Sequence, residues 1–298
     1  MSTPRREFLA SSAAAATSLL AAPSSAAPLL KTVPLGPHQV TRLIVGANPF
    51  YGYSHFNKLF DLHMREWCTT ERVCQVLQQC TQNGINTWQF HYCERSGIDM
   101  ARHRATGGTL QWITLSDDSL AADRAKLIAL ARQKPLGIVH HGGITDTCFR
   151  SGKMPKVQEF LKAVRDTGVL VGMSTHTPEV VEYVEERNWD IDFYMTALYC
   201  VTRPVEEMRK MLGHVPLGEP YLEDDPLRMF KVIRQTRKTC LAFKILAAGR
   251  RCNSPQQVEK TFQFVFDSIK AKDAVIVGMY PRYQDQVAEN AALVRRLA

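Results

Sequence analysis

Beyond residue 30, short continuous apolar runs alternate with stretches in which apolar residues return every three or four positions. The runs are "RLIVG", "NTWQF", "LQWITL", "LGIVHH", "VLVGMS", "DFYMTAL", "LAFKIL" and "AVIVGM". Strands that are apolar throughout, rather than at every second position, belong to a parallel sheet covered on both faces. Stretches such as "TERVCQVLQQCTQ", "KVQEFLKAVRDTG", "DPLRMFKVIRQTR" and "SPQQVEKTFQFVFDSI" supply the covering helices, and "RYQDQVAENAALVRRL" closes the chain. Eight such units in succession predict a closed (β/α)8 TIM barrel. The run before the first strand, "LLKTVPLGPHQV", is broken at Gly36-Pro37 and reads as an N-terminal β-hairpin. The rival architecture, an open doubly wound sheet, would place a GxGxxG turn after the first strand, and none is present.

Composition agrees with one large core: 298 residues, 45% hydrophobic and 22% charged. The net charge of +8 is dispersed rather than gathered in a stripe, and no nucleic-acid motif accompanies it. The expected partner is a small-molecule substrate, while nothing in the sequence bears on oligomeric state. Paired Arg5-Arg6 precede Phe8-Leu9, an alanine-rich apolar run and a small-residue exit near Ala26. This resembles a twin-arginine export signal over residues 1–27, with the barrel over 28–298. The run is too short and too weakly apolar for a stable membrane span, so the expected destination is periplasmic or extracellular. The eight cysteines show no CxxC pair or finger-like spacing and read mostly as buried free thiols.

In a barrel of this kind chemistry gathers where the strands end at their carboxyl side. Those ends hold Asn48, Tyr51 and His55, then His91, Tyr92 and Glu94, then Asp117-Asp118, which also suit a helix N-cap. They continue with His140-His141-Gly142-Gly143 and Asp146, Ser174 and His176, Tyr199, Lys244 and Arg250, and Tyr280 and Arg282. Adjacent residues of a strand point to opposite faces, so only one of His140 and His141 enters the mouth, with His141 preferred for the glycine that follows it. Lys244, inside "LAFKILAAG", must either face the mouth or find an ion-pair partner. "DLHMREWC" reads as a longer loop or short helix over the mouth.

The order of the motifs "LGPHQVTRLIVGANPFYG", "GINTW", "IVHHGG", "DTGVLVGMSTHTPEVV", "FKILAAGR" and "VIVGMYPRYQDQVAEN" resembles the aldo-keto reductase superfamily over most of residues 30–298. That resemblance implies a barrel holding an extended NADP(H). Ser174 and His176 would meet the nicotinamide carboxamide and Phe243 its face. Gln286, Glu289 and Asn290 would approach the adenosine end, with Arg282 or Arg250 for a phosphate.

The family's catalytic aspartate, tyrosine, lysine and histidine are matched only in part. The aspartate position is Gln89, the tyrosine position is Glu94, and "QWITLSDD" contains no lysine. Only the histidine remains, as His140 or His141. The candidate catalytic residues are therefore His141, His91, Glu94 and Tyr92. Three readings follow. One is a divergent reductase in which an imidazole or Glu94 supplies the proton. Another is a lyase or isomerase acting on a sugar-like substrate, with or without a divalent metal held by His91, His141 and His176 with Asp146 or Glu94. The third is a non-catalytic barrel that binds a sugar-like ligand through Tyr51, Tyr53, Trp67 and Tyr280.

Overall fold

The computed structural model describes residues 27–298 except 117–119 and 121. The expected export signal and the Asp117-Asp118 pair thus lie outside the described residues, Ala27 of the signal excepted.

Two short antiparallel strands, β1 (Thr32–Leu35) and β2 (His38–Thr41), form the expected hairpin. Eight parallel strands then close on themselves. They are β3 (Leu43–Gly46), β4 (Thr87–His91), β5 (Gln111–Ser116), β6 (Gly137–His140), β7 (Leu170–Thr175), β8 (Phe193–Ala197), β9 (Thr239–Phe243) and β10 (Ala274–Gly278). Every apolar run expected to be a strand is one, and β10 pairs with β3 to complete the (β/α)8 barrel.

The pleat sorts side chains into two cores. Ile44, Ile113, Val139, Phe193, Met195, Leu241 and Ile276 fill the barrel interior together with Val33, Leu35 and Val40 of the hairpin, which plugs one end. Burial of each such side chain contributes about 1.5–3 kcal/mol. Alternate residues, among them Trp88, Phe90, Ile138, Met173, Tyr194 and Val275, pack outward against the helices. Gly172 lies in the interior set, where a Cβ would come within 2.6 Å of the Phe193 ring.

The helices depart from expectation in instructive places. Lys58–Trp67 is a full helix, capped by the Asn57 side chain, which accepts from Phe60 N. Glu94–Ala105, Gly142–Arg150 and Val205–Leu212 are helices beyond those the sequence predicts; the first lacks a clear apolar period, whereas the last repeats one at Val205, Met208 and Met211-Leu212. The helix after β5, Arg124–Ala131, is capped by Asp123, whose carboxylate accepts from Ala125 N and Lys126 N at 3.0 and 3.1 Å. Among the described residues no helix is long and apolar enough to cross a membrane.

Candidate active site

The mouth is built from the strand ends. On the β4–β6 side, the rings of His91 and His141 stand 5.8 Å apart. His140 turns the other way: its Nδ1 lies 2.7 Å from Thr145 Oγ1 and its ring packs edge-on against Phe160 of the helix layer. Burial, with the neighbouring His141 adding to it, lowers His140 to about 4, so it is neutral. Gln89 is buried, and its Nε2 has no hydrogen-bond partner among the described residues. Tyr92 packs toward the helix layer, where its hydroxyl accepts from Gln133 Nε2 at 3.3 Å. Glu94 is exposed at the start of its helix. Neither of these two joins the histidine pair.

On the β7 side, His176 is fixed by Asp146. The fully buried carboxylate lies 2.9 Å from His176 Nδ1 and also accepts from the His176 backbone N–H and the hydroxyls of Thr175 and Thr202. Burial pushes the Asp146 carboxyl up, but the hydrogen bonds and the imidazole outweigh it and hold the acid below its ordinary range. With the proton on Nδ1 facing the carboxylate, Nε2 is the nitrogen left to accept. Gly142 allows this packing: a Cβ there would lie 2.9 Å from Ser174 Oγ and 3.1 Å from His176 Cε1. The His176 ring meets Phe243 edge-on, with centroids 5.5 Å apart.

Beyond Phe243 the chain leaves β9 through a contorted turn. Lys244, Ala247 and Ala248 have φ of 59°, 51° and 50°, a left-handed backbone that costs non-glycine residues on the order of 1 kcal/mol each. Lys244 Nζ lies 2.8 Å from His55 Nε2, and His55 Nδ1 lies 2.8 Å from Glu219 Oε1. His55 also sits at positive φ, 58°. Asn48 Nδ2 donates to the same Nε2 at 3.0 Å. An ammonium and an amide nitrogen can only donate, so Nε2 is unprotonated and the ring proton on Nδ1 is given to Glu219. Tyr221 donates to the other carboxylate oxygen at 3.2 Å, and Arg250 lies 4.1 Å over the Tyr221 ring while donating to the His55 carbonyl at 3.3 Å.

The charges in this series are mutually tuned. Burial lowers the Lys244 amine to about 8; Glu219 opposes that shift and Arg250 adds to it. Burial would raise the Glu219 carboxyl, but His55 and Lys244 outweigh it and hold it at about 2. Burial keeps the Tyr221 phenol protonated well above its ordinary range.

At the β10 exit Gln286 accepts from Tyr280 N at 2.7 Å. Arg282 donates to His63 Nε2 at 3.2 Å and to the Tyr280 hydroxyl at 3.4 Å. His63 stacks on Tyr283, and Trp67 meets Tyr280 edge-on. Glu289 is exposed, while Ser174 and Asn290 are buried, at 1% and 6% accessibility. Of the positions carried over for NADP(H), His176, Arg282 and Gln286 are thus engaged within the chain, and Ser174 and Asn290 are covered. Among the described residues no three or more His, Cys, Asp or Glu side chains converge as a metal site would require.

Cys68, Cys80 and Cys240 are buried, and Cys93 and Cys252 are exposed.

His55 and Lys244 both stand at strand ends in the sequence, but nothing in it joins them to each other or marks Glu219. A carboxylate in the loop after β8 has no periodic neighbours to mark it. The only available signal was that an interior lysine must find a partner.

The barrel is similar in architecture to solved structures of several kinds. The structure of a glycerol dehydrogenase from Gluconobacter oxydans is similar at a TM-score of 0.52 and 13% identity, over 91% of this chain and 90% of that one. An aldo/keto reductase from Brucella melitensis is similar at a TM-score of 0.52 and 12% identity, over 90% of this chain and 100% of that one. A truncated 3-deoxy-D-arabino-heptulosonate 7-phosphate synthase from Thermotoga maritima is similar at a TM-score of 0.51 and 11% identity, over 90% of each chain. No protein-family model matches the chain, and no curated protein matches it in sequence. The fold is therefore a TIM barrel, a likeness of architecture shared with all three.

Proposed function

We propose that the chain is an enzyme that moves protons on a small substrate bearing a carbonyl or hydroxyl group, sugars among them, in a lyase or isomerase reaction. The observation that carries this reading is the Lys244–His55–Glu219 series, 2.8 Å at each step. General acid–base catalysis needs a group within hydrogen-bond reach whose pKa lies near working pH, and an amine at about 8 meets that condition. Glu219 orients His55 and stabilises the imidazolium formed when Nε2 takes a proton. Across Phe243, Asp146 does the same for His176. His91 and His141 line the opposite side as further proton carriers. The test is exchange of substrate carbon-bound hydrogens with solvent deuterium, followed by NMR with pyruvate, glyceraldehyde and dihydroxyacetone. Exchange that is lost in His55→Gln supports the reading; exchange unaffected by that change removes the series from the chemistry.

The architecture shared with the glycerol dehydrogenase and the aldo/keto reductase favours a second reading, an oxidoreductase using NADP(H). It predicts saturable one-to-one binding in a calorimetric titration with NADPH, and no detectable binding to folded protein would end it. Export through Arg5-Arg6 is also proposed. Changing both to lysine keeps the charge and should hold the protein inside the cell if the pair is read by the twin-arginine system.

A further inference from the structure

The immediate surroundings of Lys244 differ from those of a structural lysine. Its Nζ donates to an accepting imidazole nitrogen, and the nearby carboxylate of Glu219 bonds to that imidazole instead. The ammonium is therefore not neutralised by direct pairing. The residue is half-buried between Phe243 and the Tyr221 ring, whose centroid is 6.0 Å from Nζ. The backbone on both sides of the contact is held in the left-handed region, at Lys244 and at His55. Strain of that kind persists only where the surroundings enforce it, and it clusters at functional sites.

We propose that the Lys244 amine is a covalent nucleophile, forming an imine with the carbonyl carbon of a small aldehyde or ketone bound at the mouth. The proposal rests on the proton-transfer reading above and names the atom that bonds to substrate. The neutral amine adds its lone pair to the carbonyl carbon, and the carbonyl π pair moves to oxygen. The nitrogen gives a proton to His55 Nε2, which makes an imidazolium paired with Glu219 through Nδ1–H. The carbonyl oxygen takes one proton to become a hydroxyl and a second as the C–O bond breaks. The nitrogen lone pair then closes the C=N bond, and the second nitrogen proton is lost. Amine and carbonyl thus become imine and water, with nothing oxidised or reduced. Once it takes up a proton, the imine withdraws electrons from the neighbouring carbon more strongly than the neutral carbonyl does, which eases the proton removal proposed for this site. The depressed amine supports the step. At pH 7 on the order of 100-fold more of it is neutral than of an exposed lysine.

The test is reductive trapping. The full chain is incubated with pyruvate, glyceraldehyde or dihydroxyacetone and sodium borohydride, then read by intact mass and peptide mapping. The expected result is a single adduct on Lys244, formed about tenfold faster than on any other lysine. It should be absent in Lys244→Met and slowed in a folded His55→Gln. Adducts spread evenly over surface lysines, or no adduct, would overturn the proposal. If the wild type then still exchanges carbon-bound hydrogens of the same probe, the imine falls and the proton-transfer reading stands. If it neither traps nor exchanges with any probe, both fall.

Discussion

Replacing Lys244 with methionine should make the protein more stable at neutral pH while abolishing its chemistry. An amine that titrates at 10.5 in an open chain and at about 8 in the fold carries a charging cost. At about 1.4 kcal/mol per tenfold, the interval corresponds to about 3 kcal/mol. The sign follows from the protons. Between pH 8 and 10.5 the unfolded chain holds a proton that the folded chain has given up, so stability rises with pH across that window. Below pH 8 the full cost is present. Methionine removes the charge and keeps most of the stem volume, but it forfeits the hydrogen bond to His55, worth about 0.5–1.5 kcal/mol. The backbone strain at φ 59° is unchanged. The net gain at pH 7 is about 2 kcal/mol, a rise in Tm of about 4–8 °C for a chain of this size. The assay is a pair of thermal melts, wild type and variant, at pH 7, 9 and 10.5. The advantage of the variant should shrink through that series and vanish by the last. A variant that is less stable at pH 7, or a difference that does not depend on pH, would refute the reasoning.

Three further changes probe the same mouth. Glu219→Gln removes the carboxylate that holds the amine up, so Lys244 should titrate below about 8 and the rising limb of any rate profile set by the neutral amine should move to lower pH with it. Its stability loss should be present above pH 4.5 and fade as pH falls toward 2, where wild-type Glu219 is itself protonated. Asp146→Asn should lower turnover by about 10²–10⁴ if His176 carries a proton, with the fold retained, because an amide supports the wrong tautomer. Circular dichroism beside the exchange assay separates that from unfolding. Gly142→Ala drives a methyl into Ser174 Oγ and the His176 ring, and should cost about 1–3 kcal/mol in urea melts along with exchange activity.

The pattern of apolar runs by itself determined the barrel, because a strand buried on both faces must be apolar throughout. It placed all eight strands, the hairpin before them, and the end of the barrel where polar residues would gather. The two-residue period limited the mouth to one of His140 and His141, and the tertiary structure decided which, setting His141 against His91 and His140 against Phe160. The helix Glu94–Ala105 is hidden in the sequence because charged and small residues interrupt its apolar stripe. The Lys244–His55–Glu219 series could not be read from the chain. Its members lie 189 and 164 residues apart along the sequence, on three loops that have no period. Residues so distant meet only because closing the barrel brings the exits of β3, β8 and β9 to one end. The depressed amine arises from the burial that this meeting creates, a property of the packed mouth and of no segment alone.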